Sequence, residues 1–126
     1  MVPTDLHYTN KHEWVRLDGD TATIGITQYA ADQLGDIVFV ELPDVGRSLD
    51  QFGAFGVVES VKAVSDLFAP LSGAVTATNP GLVASPESVN TDPYGDGWLI
   101  QIRIADPDQM AKLLDAGAYD DLVAAG

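Results

Sequence analysis

The feature that most narrows the fold is a series of four short β-rich runs, Ile37 to Leu42, Phe52 to Glu59, Val64 to Phe68 and Val75 to Thr78. Proline, glycine and serine separate them, so each run reads as a strand cut off before it can wind into a helix. Strands this short and this closely spaced predict a mainly β sandwich or barrel. Upstream, Glu13 to Ile26 alternates, breaks at Asp18, Gly19 and Asp20, and resumes at Thr21, as strand, turn and strand do. Downstream, Trp98, Ile100, Ile102 and Ile104 share one face of a further strand, opposite Gln101 and Arg103.

Helical signals are briefer. Thr27 is placed to cap a helix through Leu34, with Tyr29, Ala30 and Leu34 inward and Gly35 ending it. Asp106 followed by Pro107 opens another, a cap residue and then proline at the first helical position. Met110, Leu113 and Leu114 would face the core, Gly117 would stop that helix, and Ala118 to Ala125 would add a turn or two. A helical segment over about 107–125 is therefore expected. Between these regions, Asn79 to Gly97 is rich in Pro, Gly, Ser, Asn and Asp and reads as a long surface excursion, with one helical turn near Pro86 to Val89. No boundary divides the 126 residues, so a single domain over 1–126 is expected.

A weak internal repeat adds to this picture. Leu42-Pro43-Asp44-Val45-Gly46 and Ala69-Pro70-Leu71-Ser72-Gly73 share the pattern apolar, Pro, two residues, Gly, each after a β-rich run. If both are turns in which proline fixes φ and glycine closes the bend, the two halves are related by an approximate twofold. The middle of the segment from Phe52 to Phe68 is then the tip of a hairpin.

Charge and composition exclude several functions. Six Lys and Arg stand against 19 Asp and Glu, a formal charge of -13, and such a surface repels nucleic acid and anionic lipid alike. With no cysteine there is no disulfide framework, thiolate nucleophile or zinc thiolate site. No apolar stretch approaches the roughly 20 residues that span a bilayer. Met1 to Asn10 shows neither a secretory nor a transit pattern, so a cytoplasmic monomer is expected.

Catalytic patterns fail in turn. His7 and His12 have no third ligand at a metal-site spacing and read as surface or hairpin residues, so no metal is expected. There is no Gly-Lys pair for a phosphate loop, and Gly95-Asp96-Gly97 lacks a third glycine and precedes a strand. No serine sits in a glycine-flanked elbow. Carboxylates are so numerous that proximity alone identifies no acid and base. Trp14, Tyr94 and Trp98 read as packing aromatics. The chain is not expected to be a free-standing enzyme.

One lysine stands out. Lys62, in Glu59-Ser60-Val61-Lys62-Ala63, falls at the inferred hairpin tip. A lysine there either keeps a turn soluble or offers its amine for attachment of a carried group, and position alone does not choose.

The run Glu59-Ser60-Val61-Lys62-Ala63-Val64-Ser65-Asp66, followed by Ala69-Pro70-Leu71-Ser72-Gly73, resembles the lipoylation site of the glycine cleavage H-protein family. The likeness extends through His12-Glu13-Trp14, Thr23-Ile24-Gly25-Ile26-Thr27, and Leu34-Gly35-Asp36-Ile37-Val38-Phe39-Val40-Glu41-Leu42-Pro43. It returns at Asn79, Leu82, Pro86, Asn90 and Asp92-Pro93-Tyr94-Gly95-Asp96-Gly97-Trp98, so it covers nearly the whole chain in order.

The resemblance implies a lipoyl/biotinyl-carrier hammerhead, or barrel-sandwich hybrid, of two antiparallel sheets with short helices and a C-terminal helix. It implies a non-catalytic carrier whose cofactor is lipoic acid, held as an amide on Lys62. The implied partners are a glycine-decarboxylating pyridoxal-phosphate enzyme that loads an aminomethyl group, an aminomethyltransferase that removes it, and dihydrolipoyl dehydrogenase, which reoxidises the dithiol. A lipoyl ligase or octanoyl transferase would modify Lys62, with Glu59, Ser60, Val61 and Ala63 as recognition residues. Glu13 and Asp66 match the acidic positions that hold the loaded arm's ammonium. An extended lysine and lipoyl chain reaches roughly 14 Å. Besides an unmodified interaction module that retains only the fold, three alternatives share parts of the pattern. A biotin carrier typically flanks its lysine with methionines, where this chain has Val61 and Ala63; a lipoyl domain of a 2-oxo acid dehydrogenase usually belongs to a longer chain; and a lipoyl relay would pass its group to other enzymes.

Overall fold

The computed structural model describes residues 2–125. Within them, nine strands form two antiparallel sheets. The larger holds β1 (His7–Tyr8), β2 (Glu13–Asp18), β3 (Thr21–Ile26), β9 (Ile100–Ile104), β8 (Gly73–Thr78) and β5 (Ser48–Leu49), in that spatial order. The smaller holds β4 (Ile37–Glu41), β6 (Ala54–Ser60) and β7 (Val64–Phe68), also in that order. All four β-rich runs of the sequence are strands, and the two sheets with short helices and a C-terminal helix are the expected architecture.

Apolar side chains from the two sheets meet in one core, which includes Val15, Ile24, Val58, Leu67, Leu71, Val75 and Ile102. Burying each such side chain fully contributes about 1.5–3 kcal/mol. A second cluster of Leu6, Tyr8, Trp14, Ala116 and Tyr119 lies under α4 (Ala116–Ala125). Trp14 is fully buried and donates from Nε1 to Pro93 O at 3.0 Å, while Tyr94 and Trp98 pack against this second cluster, so all three aromatics serve packing.

The two Pro-x-x-Gly segments occupy equivalent places. One carries the chain from β4 to β5 and the other from β7 to β8, each time from the small sheet to the large one, where β5 and β8 pair. Their conformations differ: Gly46 takes φ 97, whereas Gly73 is already the first residue of β8. The repeat marks matching crossovers without a shared turn geometry.

Thr27 caps α1 (Gln28–Leu34) by accepting from Ala30 N at 3.2 Å, as expected. The fully buried residue of α1 is Ala31, with Ala30 and Leu34 only partly buried; Tyr29 instead packs against the His12 ring, centroids 4.9 Å apart and planes inclined by 44°. The long excursion contains α2 (Gly81–Ala84) and α3 (Ser88–Thr91).

Two expectations near the C-terminus are corrected. Asp106 does cap a helix, but Pro107–Lys112 is a 3-10 turn, and the chain leaves it in extended conformation at Leu113. Gly117 does not stop a helix: it lies in the first turn of α4, which Asp115 begins by accepting from Ala118 N at 2.8 Å. Trp98 also falls before β9 instead of within it.

Candidate functional site

The β6–β7 hairpin presents Lys62. The last strand pair before the tip is Glu59 with Val64. Ser60 then closes the turn: its N–H donates to Ala63 O at 2.8 Å, and its Oγ accepts from Ala63 N at 3.0 Å and from Lys62 N at 3.3 Å. A serine hydroxyl can replace main-chain partners in this way because it is short enough to fold back on its own turn. Val61 N donates to Asp36 O at 3.1 Å, which fastens the tip to the segment after α1.

That segment is itself held. Asn90 Nδ2 donates to Gly35 O at 2.8 Å, and Asn90 Oδ1 accepts from Ile37 N at 2.9 Å. Gly35 sits at φ 82 and ψ -159, a combination nearly restricted to glycine. Lys62 Cε lies 3.5 Å from where a Cβ would stand on Gly35, so the lysine stem passes over a residue that has no side chain. Lys62 is exposed, and its neighbours Val61 and Val64 are 70% and 66% exposed. The frame is fixed while the side chain is free.

Cross-strand register sorts the surrounding residues. Phe39, Glu59 and Val64 form one row across the small sheet, and Glu41, Val57 and Asp66 form the next. Directly paired residues point to the same face, which here is the one away from buried Val58 and Leu67. Glu59 is half-buried between Phe39 and Val64, and Asp66 is exposed.

Glu13 has a different setting. It is 1% exposed, at the start of β2, and both carboxylate oxygens are engaged: Oε1 accepts from Thr9 Oγ1 at 2.5 Å and Oε2 from Phe68 N at 3.2 Å. Burial pushes its carboxyl up to about 7, against the lowering effect of those hydrogen bonds and of the Lys11 charge. Lys11 itself is exposed, and its main-chain N–H bonds Thr9 Oγ1 at 3.2 Å.

The Phe68 contact locates Glu13 relative to Lys62. β7 is an edge strand, and Phe68 N–H points away from β6 toward Glu13. Residues two apart on a strand direct their N–H and C=O groups to the same side, so Asp66 and Val64 also present theirs at this open edge. The edge runs from the Lys62 turn to the Glu13 carboxylate, with Asp66 between. Val64 to Phe68 is four steps, about 13 Å at strand rise.

Sequence reading missed several partners. Thr9 lies four residues before Glu13, and the polar turn Thr9-Asn10-Lys11-His12 between them was the available signal. Phe68 carries none, because its contribution is a main-chain N–H. His12, read as a surface or hairpin residue, is on the β1–β2 turn but is half-buried, with Nδ1 2.7 Å from Tyr119 Oη.

The family model described as Glycine cleavage H-protein matches residues 6–125. This chain belongs to the glycine cleavage H-protein family. A glycine cleavage system H protein of Magnetococcus marinus is 59% identical over 118 residues, covering 94% of this chain and 84% of the relative. That of Symbiobacterium thermophilum is 56% identical over 119 residues, covering 94% and 93%. A crystal structure of a glycine cleavage system H protein from Mycobacterium marinum superposes with a TM-score of 0.90 at 40% identity, covering 98% of this chain and 99% of that one. The H-protein fold is thus shared along nearly the whole chain. Among the described residues, no helix is long and apolar enough to cross a membrane.

Proposed function

We propose that this chain is the lipoyl-bearing carrier of a glycine cleavage system, with lipoic acid attached as an amide to Lys62. The observation that carries the proposal is an exposed lysine on a hairpin tip that is hydrogen-bonded on both sides, within an H-protein fold. The tip suits an amide-linked group. Lys62 is exposed beside apolar Val61 and Val64, so loss of its ammonium charge leaves no buried ion without a partner.

When bound, lipoic acid supplies the dithiolane sulfurs that this cysteine-free chain lacks, and with them the acceptance and release of an aminomethyl group. The residues of the chain do the rest. Ser60 and Val61 hold the tip in one geometry that a lipoyl ligase or octanoyl transferase can recognise, with Glu59 and Ala63 completing the presented surface. Gly35 leaves room for the lysine stem. Tethering confines the cargo to a small volume, so delivery to each partner is effectively intramolecular once the carrier docks.

Glu13 and Asp66 receive the cargo amine. An aminomethyl ammonium is a cation, and an arm laid along the open edge of β7 passes Asp66 and ends toward Glu13. Strand length and arm reach are commensurate, about 13 Å against roughly 14 Å. A cation beside Glu13 favours the ionised carboxylate, and the raised pKa of that group is what the cation would offset. The proposed partners are the glycine-decarboxylating enzyme, the aminomethyltransferase and dihydrolipoyl dehydrogenase, met in the cytoplasm by a monomer. Val61 and Ala63 beside the lysine support lipoyl in preference to biotin.

Reconstituted glycine decarboxylation tests the carrier role. Lipoylated protein supports turnover and Lys62→Arg does not; turnover retained in that variant would overturn the proposal, and lipoylated protein that supports none would point to a relay.

A further inference from the structure

The turn that presents Glu13 contains a residue in an uncommon backbone conformation. His12 has φ 74, the left-handed region that costs a β-carbon-bearing residue roughly 1–2 kcal/mol. Three contacts surround it. Its carbonyl accepts from Thr27 N at 3.0 Å, its ring packs against Tyr29 with the planes inclined by 44°, and its Nδ1 lies 2.7 Å from the Tyr119 hydroxyl. The same hydroxyl lies 2.7 Å from Thr27 Oγ1, the side chain that caps α1. One phenol therefore joins α4, the N-terminus of α1 and the turn before β2.

Tyr119 is itself fixed. It is fully buried, and its ring stacks on Tyr8 with centroids 4.7 Å apart and planes inclined by 21°. Burial and the Lys11 charge lower the His12 pKa and so favour the neutral imidazole, in which one ring nitrogen accepts. In the tautomer with Nε2 protonated, Tyr119 O–H donates to His12 Nδ1 and Thr27 O–H donates to Tyr119.

Left-handed geometry at His12 determines where the next residue goes. His12 N donates to Thr9 O at 3.2 Å, and Thr9 N donates to Glu13 O at 2.9 Å. Glu13 N donates to Thr9 Oγ1 at 3.2 Å, the hydroxyl that in turn donates to the Glu13 carboxylate. Relaxing φ at His12 would rotate Glu13 out of this closed turn and away from Phe68.

We propose that Tyr119, on the C-terminal helix, is a positioning residue for Glu13: by holding His12 in its left-handed conformation it keeps the carboxylate at the open edge of β7. Nothing in a local reading of the Glu13 turn requires α4, and this proposal makes that helix part of the arm's receiving site. It rests on the reading of Glu13 as an acceptor of the cargo amine.

The test uses full-length protein carrying Tyr119→Phe, His12→Asn or Glu13→Gln, and the double variant Tyr119→Phe with Glu13→Gln. Tyr119→Phe keeps the ring stack and removes only the hydroxyl; His12→Asn keeps a residue tolerant of positive φ. Two readouts are taken. In unlipoylated protein, the carbon-13 carboxyl resonance of Glu13 is titrated; Lys11 and Tyr119 interact electrostatically with it, and His12 precedes it in the chain. In loaded, lipoylated protein, release of the cargo as formaldehyde and ammonia is timed.

Tyr119→Phe is expected to shift the Glu13 midpoint and speed release about three- to tenfold, while His12→Asn stays closer to the parent protein. The double variant should release no faster than Glu13→Gln alone. A Glu13 titration unchanged by Tyr119→Phe, or an additive effect in the double variant, overturns the positioning role. If Glu13→Gln alone leaves release unchanged, the reading of Glu13 as acceptor fails, while the titration still decides whether Tyr119 places its carboxylate.

Discussion

Glu13 accepts a hydrogen bond from the main-chain N–H of Phe68 at 3.2 Å, across 55 positions of sequence. This contact ties the turn before β2 to the free edge of the strand that leads away from Lys62. The edge of β7 is thereby covered at one end by a carboxylate and left open beside Asp66. Burial raises the pKa of this carboxyl, which stands at the far end of a strand edge that begins at the Lys62 turn.

The first prediction concerns pH and stability. Burial raises the folded pKa of Glu13 from 4.5 to about 7. Between those values the native state keeps a proton that the unfolded state has lost, so stability falls as pH rises through that window. The loss is complete above about pH 8 and amounts to at most about 3 kcal/mol. Glu13→Gln should flatten this slope, gaining on the parent as pH rises. Denaturant unfolding at a series of pH values checks it, and parallel profiles for the two proteins would contradict it.

Loaded-arm protection is the second. Glu13→Gln and Asp66→Asn should each accelerate release of formaldehyde and ammonia from the lipoylated, loaded protein, by about tenfold for the buried acid and less for the exposed one. Release rates equal to the parent in both variants would remove these residues from the site.

Ser60 supplies the third. Its hydroxyl accepts from Lys62 N and Ala63 N, so Ser60→Ala leaves the tip without that closure and costs about 1 kcal/mol of local order. Lipoylation of Lys62 in vitro should slow several-fold, and Ser60→Thr, which keeps a hydroxyl, should recover most of the rate. Equal rates for all three proteins would mean that the tip geometry is not what the modifying enzyme reads.

How much of this was legible in the sequence depends on the range of each interaction. Strands β4, β6, β7 and β8 announce themselves through β-rich runs bounded by turn residues, and Lys62 stands out because such a hairpin needs a tip. Strands β1 and β5 have two residues each, too few for any alternation to register. Gly117 resembled a helix stop because glycine often is one, but Asp115 captures Ala118 N and starts a helix across it. Glu13 and Asp66 were both singled out by likeness to a family. Their distinct settings, one buried against Phe68 N–H and one exposed beside Glu41 and Val57, follow from strand register and sheet order, which no local pattern encodes.

A fourth prediction follows from charge. With a formal charge of -13, docking to partner enzymes through basic surfaces should weaken as salt shortens the screening length from about 10 Å at 0.1 M to about 3 Å at 1 M. Glycine turnover at limiting carrier should fall on the order of tenfold over that range, with little change at saturating carrier. A flat salt response would show that acidity serves solubility alone.

The most direct measurement is the intact mass of the protein isolated from cells that make lipoate, followed by peptide mapping across residues 59–66. The expected result is the increment of a single lipoyl amide, located on Lys62 and abolished in Lys62→Arg. A biotinyl increment, or lysine found bare in cells whose other lipoyl proteins are modified, would contradict it.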